Sequence, residues 1–191
     1  MAKRIVCIGD SNTWGYDPRG WGGGRYPAAV RWTARLDALP QWAIVNEGEN
    51  GREIPRGAAS LGRLLRQVEA AAPDGACVLL GTNDLLCGAS PAATADRMDG
   101  LLDALSGRSV PLLLLAPPPL QPGAWTTDAL CTASAALGAR YAALAQRRGL
   151  AFADTAAWAI ELAFDGVHFT EQGHARFAER AQAVFTAAFG V

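Results

Sequence analysis

A chain of 191 residues, half of them apolar and 18% charged, is long enough to bury a sizeable core without disulfide or metal staples. A net charge of -1 and no basic stripe leave no electrostatic footprint for nucleic acid or acidic lipid. No run approaches the ~18 apolar residues of a membrane span, and the short apolar run after Lys3-Arg4 is too brief for a secretory signal, so a cytoplasmic protein is expected.

The first element is a strand over 4–8, where Ile5, Val6, Cys7 and Ile8 run unbroken until Gly9-Asp10-Ser11-Asn12 turns the chain. A glycine-rich loop, "DPRGWGGGRYP" (17–27), follows and is expected to be mobile and near the mouth of a site. Trp32, Leu36 and Leu39 then keep one helical face, which Pro40 stops. A second strand covers 42–46, and Leu61, Leu64, Leu65 and Val68 follow helical spacing. The third strand, 76–80, leads to a helix with Ser90 as N-cap and Pro91 at its first position, carrying Met98, Leu101, Leu102 and Leu105. The fourth strand, 110–116, precedes a helix marked by Leu130, Leu137, Tyr141 and Leu144. The fifth, 150–153, precedes a last helix with Thr170 and Glu171 in its first turn and Phe177, Ala181, Val184, Phe185 and Ala188 on one face.

Strands without internal polar alternation suit a sheet covered on both faces, and repeated βα units make that sheet parallel. The expected fold is therefore one α/β domain over 1–191, a three-layer α/β/α sandwich with five parallel strands in flavodoxin-like order 2-1-3-4-5. Such folds bind ligands beyond the carboxyl ends of their strands. The loops there carry Ser11, "NEGENGRE" (46–53), "GTND" (81–84), "APPPLQPG" (116–123) and "DGVHFTEQGH" (165–174).

A serine hydroxyl is a weak nucleophile unless a base within hydrogen-bond reach takes its proton, and histidine is the natural base near neutral pH. Only His168 and His174 are available. His168 follows Asp165 by three residues, so a short turn lets the carboxylate orient one ring nitrogen while the other faces Ser11. His174 has no such neighbour and falls in the last helix as a surface or packing residue. Acyl transfer also needs donors for the developing oxyanion; the backbone N–H groups of Ser11 and Gly51 and the amide of Asn83 are candidates. Taken alone, Gly51 is a turn glycine and Asn83 an Asx-turn or helix cap.

In chain order, "GDSNTWG", the glycine of "NEGENG", "GTND" and "DGVHFT" resemble the four sequence blocks of the SGNH (GDSL) hydrolase superfamily, closest to its bacterial arylesterase and acyltransferase branch. The resemblance implies the same fold, Ser11 as nucleophile, His168 as general base and Asp165 orienting it. It also implies an oxyanion hole from Ser11, Gly51 and Asn83. Asn12 departs from the pattern, standing where leucine is commonest; a polar side chain there reshapes the turn or bonds locally. Asn12, Trp14, Asp84 and Pro118 are the candidate substrate contacts. The implied activity is hydrolysis of small carboxylic esters, with acyl transfer to alcohols, no cofactor and no metal, and a homo-oligomeric assembly. Sugar deacetylation, lysophospholipid and thioester hydrolysis are alternatives within the superfamily.

Other classes fit less well. A flavodoxin-like nucleotide or flavin module needs a phosphate loop, but GxGxxG and GxxxxGK[ST] are absent and Asp10 would repel a phosphate. An α/β-hydrolase needs G-x-S-x-G, and a zinc hydrolase needs HExxH or a cysteine-histidine cluster; neither occurs. The four cysteines, Cys7, Cys77, Cys87 and Cys131, lack CxxC spacing and read as reduced thiols. Trp14, Tyr16, Trp21, Tyr26, Trp125 and Trp158 serve either as packing or as the wall of an aromatic pocket for a small acyl group.

Overall fold

The computed structural model describes residues 1–20, 24–108 and 110–190. In chain order it contains β1 (Lys3–Gly9), α1 (Ser11–Trp14), β2 (Tyr16–Asp17), β3 (Gly24–Arg25), α2 (Trp32–Asp37), β4 (Trp42–Gly48), α3 (Ala58–Ala71), β5 (Gly75–Leu79) and α4 (Thr82–Leu86). These are followed by α5 (Pro91–Ser106), β6 (Leu112–Ala116), α6 (Asp128–Arg148), β7 (Ala151–Asp154), a 3-10 turn (Thr155–Trp158) and α7 (Glu171–Phe189).

Five strands form one parallel sheet in the order β4-β1-β5-β6-β7, the spatial order 2-1-3-4-5 expected from the sequence. The two-residue alternation of a strand sorts β1 between two cores. Ile5 and Cys7 pack with Trp32, Phe177 and Phe185 from α2 and α7, and Val6 and Ile8 pack with Leu64, Met98 and Leu137 from α3, α5 and α6. Each of these large side chains, buried nearly completely, contributes about 1.5–3 kcal/mol by leaving water. The sheet edge at β4 is blunted from within the fold, because Asp37 Oδ1 accepts the Ile44 N–H at 2.7 Å and Asn46 Oδ1 accepts that of Gly48 at 2.9 Å.

Several elements lie outside the periodicity argument. α2 ends at Asp37, before Pro40, and the short elements α1, α4 and the 3-10 turn are too brief to show a period. The glycine-rich loop contains an antiparallel β2–β3 pair, Tyr16 with Arg25 and Asp17 with Gly24, while Trp21 lies outside the described residues. Among the described residues no helix is long and apolar enough to cross a membrane.

Candidate active site

The turn after β1 and the segment before α7 meet beyond the carboxyl ends of the strands. Ser11 opens α1, whose N-cap is Asp10; Asp10 Oδ1 accepts the Asn12 N–H at 3.0 Å. Burial pushes the Asp10 carboxyl up to about 6, against the opposing pull of that N–H, His168 and Arg52. Ser11 Oγ lies 2.9 Å from His168 Nε2, and His168 Nδ1 lies 2.7 Å from Asp165 Oδ2. Asp165 Oδ1 accepts the backbone N–H groups of Val167 and His168 at 2.9 and 3.0 Å.

That turn depends on Gly166, which has φ +76°; a Cβ there would fall 2.1 Å from the Gln121 carbonyl oxygen. Burial raises the Asp165 carboxyl, but the bonds from the His168 ring and the two N–H groups outweigh it and hold it below the usual carboxylate range. An ionised Asp165 accepts from Nδ1–H, which leaves Nε2 to accept the serine proton.

Across the cleft, Asn83 is the second residue of α4 and does not cap it; the N-cap position belongs to Gly81. Its Nδ2 donates to the Arg52 carbonyl at 3.1 Å, which commits one of the two amide hydrogens. Gly51 sits in the β4–α3 loop with φ +71°, and a Cβ there would meet no atom of the described residues within 4 Å. Ser11, Gly51, Asn83 and His168 line one cleft of about 240 Å³. Its aromatic wall flanks the imidazole: the Tyr16 ring centroid is 4.5 Å from that of His168, and Trp125 meets it edge-on at 5.4 Å.

A family model described as GDSL-like lipase/acylhydrolase matches residues 7–176, which include every one of these groups. The chain belongs to that family. No curated protein matches the sequence. Among solved structures, the native M. smegmatis aryl esterase is 26% identical with a TM-score of 0.82, over 96% of this chain and 100% of that one. A carbohydrate acetylesterase from Sinorhizobium meliloti is 25% identical with a TM-score of 0.79, again over 96% and 100%. A second carbohydrate acetylesterase family member from Sinorhizobium meliloti, 24% identical over 99% and 100% with a TM-score of 0.87, shares the fold. With its family, the GDSL-like chain is a serine ester hydrolase.

None of the four residues singled out as substrate contacts is among those lining this cleft of the GDSL-like fold. Asn12 is buried, and its amide reaches across the chain: Nδ2 donates to the Val167 carbonyl at 3.1 Å and Oδ1 accepts the Phe169 N–H at 2.9 Å. Its bonds therefore bracket His168 instead of closing a local turn. Trp14 packs under the Arg25 guanidinium, 4.9 Å from its ring centroid. Asp84 is fully buried and accepts from the Ile54 N–H and the Arg97 guanidinium. Pro118 lies in the loop after β6, outside the cleft lining. Of the other aromatics, Tyr26 packs on His174 and Trp158 on Phe177.

His174, four residues into α7, is completely buried between Tyr26 and Phe169, which decides for packing over surface. Its Nδ1 accepts the Trp32 N–H at 3.4 Å and its Nε2 has no partner among the described residues. Burial, with Arg35 and Arg31 adding repulsion, lowers its pKa to about 3, so the ring is neutral. Sequence reasoning passed over Arg52. The only signal was an arginine inside "NEGENGRE", and its buried contacts have no sequence signature.

Proposed function

We propose that the chain hydrolyses short-chain carboxylic esters, acetyl and aryl esters among them, through an acyl-enzyme on Ser11. One observation carries the reading: the unbroken Ser11–His168–Asp165 relay, at 2.9 and 2.7 Å, opening on a cleft that Gly51 and Asn83 share. His168 takes the Ser11 proton as Oγ attacks the carbonyl, and the imidazolium returns it to the leaving alkoxide. The backbone N–H groups of Ser11 and Gly51 and the uncommitted Asn83 N–H stabilise the oxyanion. Similarity to an aryl esterase from M. smegmatis and a carbohydrate acetylesterase from Sinorhizobium meliloti supports aryl and acetyl esters as the substrate class of this reading.

Tyr16 and Trp125 give the cleft an apolar wall beside the imidazole, which favours an organic alcohol over water as the second nucleophile. The same reading makes the chain one domain and an acyltransferase to alcohols. Trp125, which lines the cleft, and Phe164 are 52% and 63% exposed on two segments joined by backbone bonds, an apolar surface that a second copy would cover. Four free thiols suit the cytoplasm.

An arylphosphonate should label Ser11 alone and abolish turnover, read by peptide mass spectrometry; ester hydrolysis persisting with Ser11 fully labelled, or lost with the adduct on another residue, would refute the reading. Vinyl acetate with benzyl alcohol tests transfer. Benzyl acetate formed no faster than the ratio of alcohol to water allows would leave a plain hydrolase.

A further inference from the structure

We propose that Arg52 is a positioning residue for the oxyanion hole, holding the Gly51 loop, the Asn83 amide and the end of β1 in one register; this rests on the oxyanion reading above. Only 9% of its side chain is exposed, although it sits in a surface loop. The guanidinium turns inward. Nη1 donates to the Glu47 carbonyl and, at 3.5 Å, to that of Gly9, two residues before Ser11. Nη2 donates to Glu49 Oε2 at 2.7 Å and Gln67 Oε1 at 3.4 Å, and the backbone N–H closes the loop on the Glu49 carbonyl at 3.1 Å.

The other end of the residue faces the site. Its carbonyl accepts one hydrogen of Asn83 Nδ2 at 3.1 Å, and the geometry of a planar amide then fixes where the second hydrogen points. Gly51 is bonded to it through the preceding peptide, so a shift of Arg52 moves two donors at once. A planar, five-donor fork can join Glu47, Gly9, Glu49 and Gln67 simultaneously, which the point charge of a lysine cannot. Arg52 touches no reacting atom; it acts through Gly51 and Asn83.

The test uses nitrophenyl acetate turnover of Arg52→Lys, Arg52→Ala, Asn83→Ala and the double variant Arg52→Ala/Asn83→Ala. Both Arg52 variants should lower kcat about 10- to 100-fold, the cost of a sub-ångström to 1 Å misplacement. KM should stay within about twofold, because the donors tighten on the transition state. The double variant should lose far less than the product of the two single losses, since Arg52 works partly through the residue removed. Guanidinium ion should restore part of the Arg52→Ala turnover and none of that lost in Asn83→Ala.

Undiminished kcat, a loss confined to KM, or losses that multiply in the double variant would overturn the proposal. Should Arg52→Ala fail to fold, Arg52→Lys decides it by the same split of kcat from KM. Full-speed Asn83→Ala would remove the oxyanion reading and this role together. A slow Asn83→Ala beside full-speed Arg52 variants would overturn the role of Arg52 alone.

Discussion

The Asp165–His168 turn and the first turns of α7 are adjacent in the chain, each buries one of the two histidines, and they treat them oppositely. His168 has a partner on each ring nitrogen, a carboxylate behind and a hydroxyl in front, and one edge on the cleft. His174 has one long bond from a backbone N–H, aromatic rings on two sides and, among the described residues, no partner on Nε2. In the first environment the Asp165 carboxylate faces the ring nitrogen opposite Ser11. The second supports only the neutral ring, because burial and two arginines oppose the charge. What separates the proposed base from a packing residue here is therefore the partner set, not burial, which both share.

The largest test of that contrast is kinetic. His168→Ala should lose about 10³ to 10⁶ in turnover, close to the loss in Ser11→Ala, since members of such a unit fail together. Asp165→Asn should lose less if the carboxylate mainly orients the ring. Steady-state kinetics on a nitrophenyl ester decide both, and a His168→Ala variant with most of its activity would break the comparison.

The second test sharpens the other side, through stability. The unfolded chain binds a proton at His174 near pH 6.5, whereas the folded chain does so only near 3, so stability falls as pH drops through that window. At 1.36 kcal/mol per pKa unit the total is about 5 kcal/mol, and above pH 6.5 it vanishes. His174→Gln keeps an acceptor for Trp32 and does not titrate, so its urea midpoint should decline less on acidification, with turnover near pH 8 little changed. Parallel declines in the two proteins would show that His174 does not carry the effect. Asp10 works in the opposite sense: its raised pKa makes the fold more stable as pH falls from about 6 towards 4, which is why the variant must be compared with the parent at each pH.

The third test concerns how the two regions are held. Asn12→Leu would leave the Val167 carbonyl and the Phe169 N–H buried without partners, at about 1–3 kcal/mol for each. Because those groups bracket His168, turnover should fall along with the urea midpoint. Loss of stability alone would make Asn12 a fold residue without influence on the relay.

These cases show what the sequence could and could not disclose. The five sheet strands were legible because double-sided burial writes unbroken apolar runs such as Ile5–Ile8, and their order followed from right-handed crossovers. Ser11, His168 and Asp165 were legible as a set because few residues at strand ends can perform that chemistry and only two histidines exist. Their expected neighbours were not. Asn12 and Asp84, named as candidate substrate contacts, are polar residues next in sequence to Ser11 and Asn83. Their side chains point inward to backbone groups 155 and 30 residues away, and no local pattern encodes that. Arg52 was hidden for the same reason.

The contacts that close the relay also order events in folding. Ser11 Oγ and His168 Nε2 belong to residues 157 apart, and the Asn12 bridge spans 155 and 157. Bringing ends so distant together costs about 4.5 kcal/mol of loop entropy beyond a constant, so these bonds form only after the intervening sheet has shortened the loop. On the ribosome strand β1 must wait, with Ser11 lacking its histidine partner, until the segment carrying His168 emerges. Ester hydrolysis should therefore be the last signal recovered on refolding, later than helix content and later than burial of the tryptophans, and its appearance dates the moment at which strand β1 and the segment before α7 first meet.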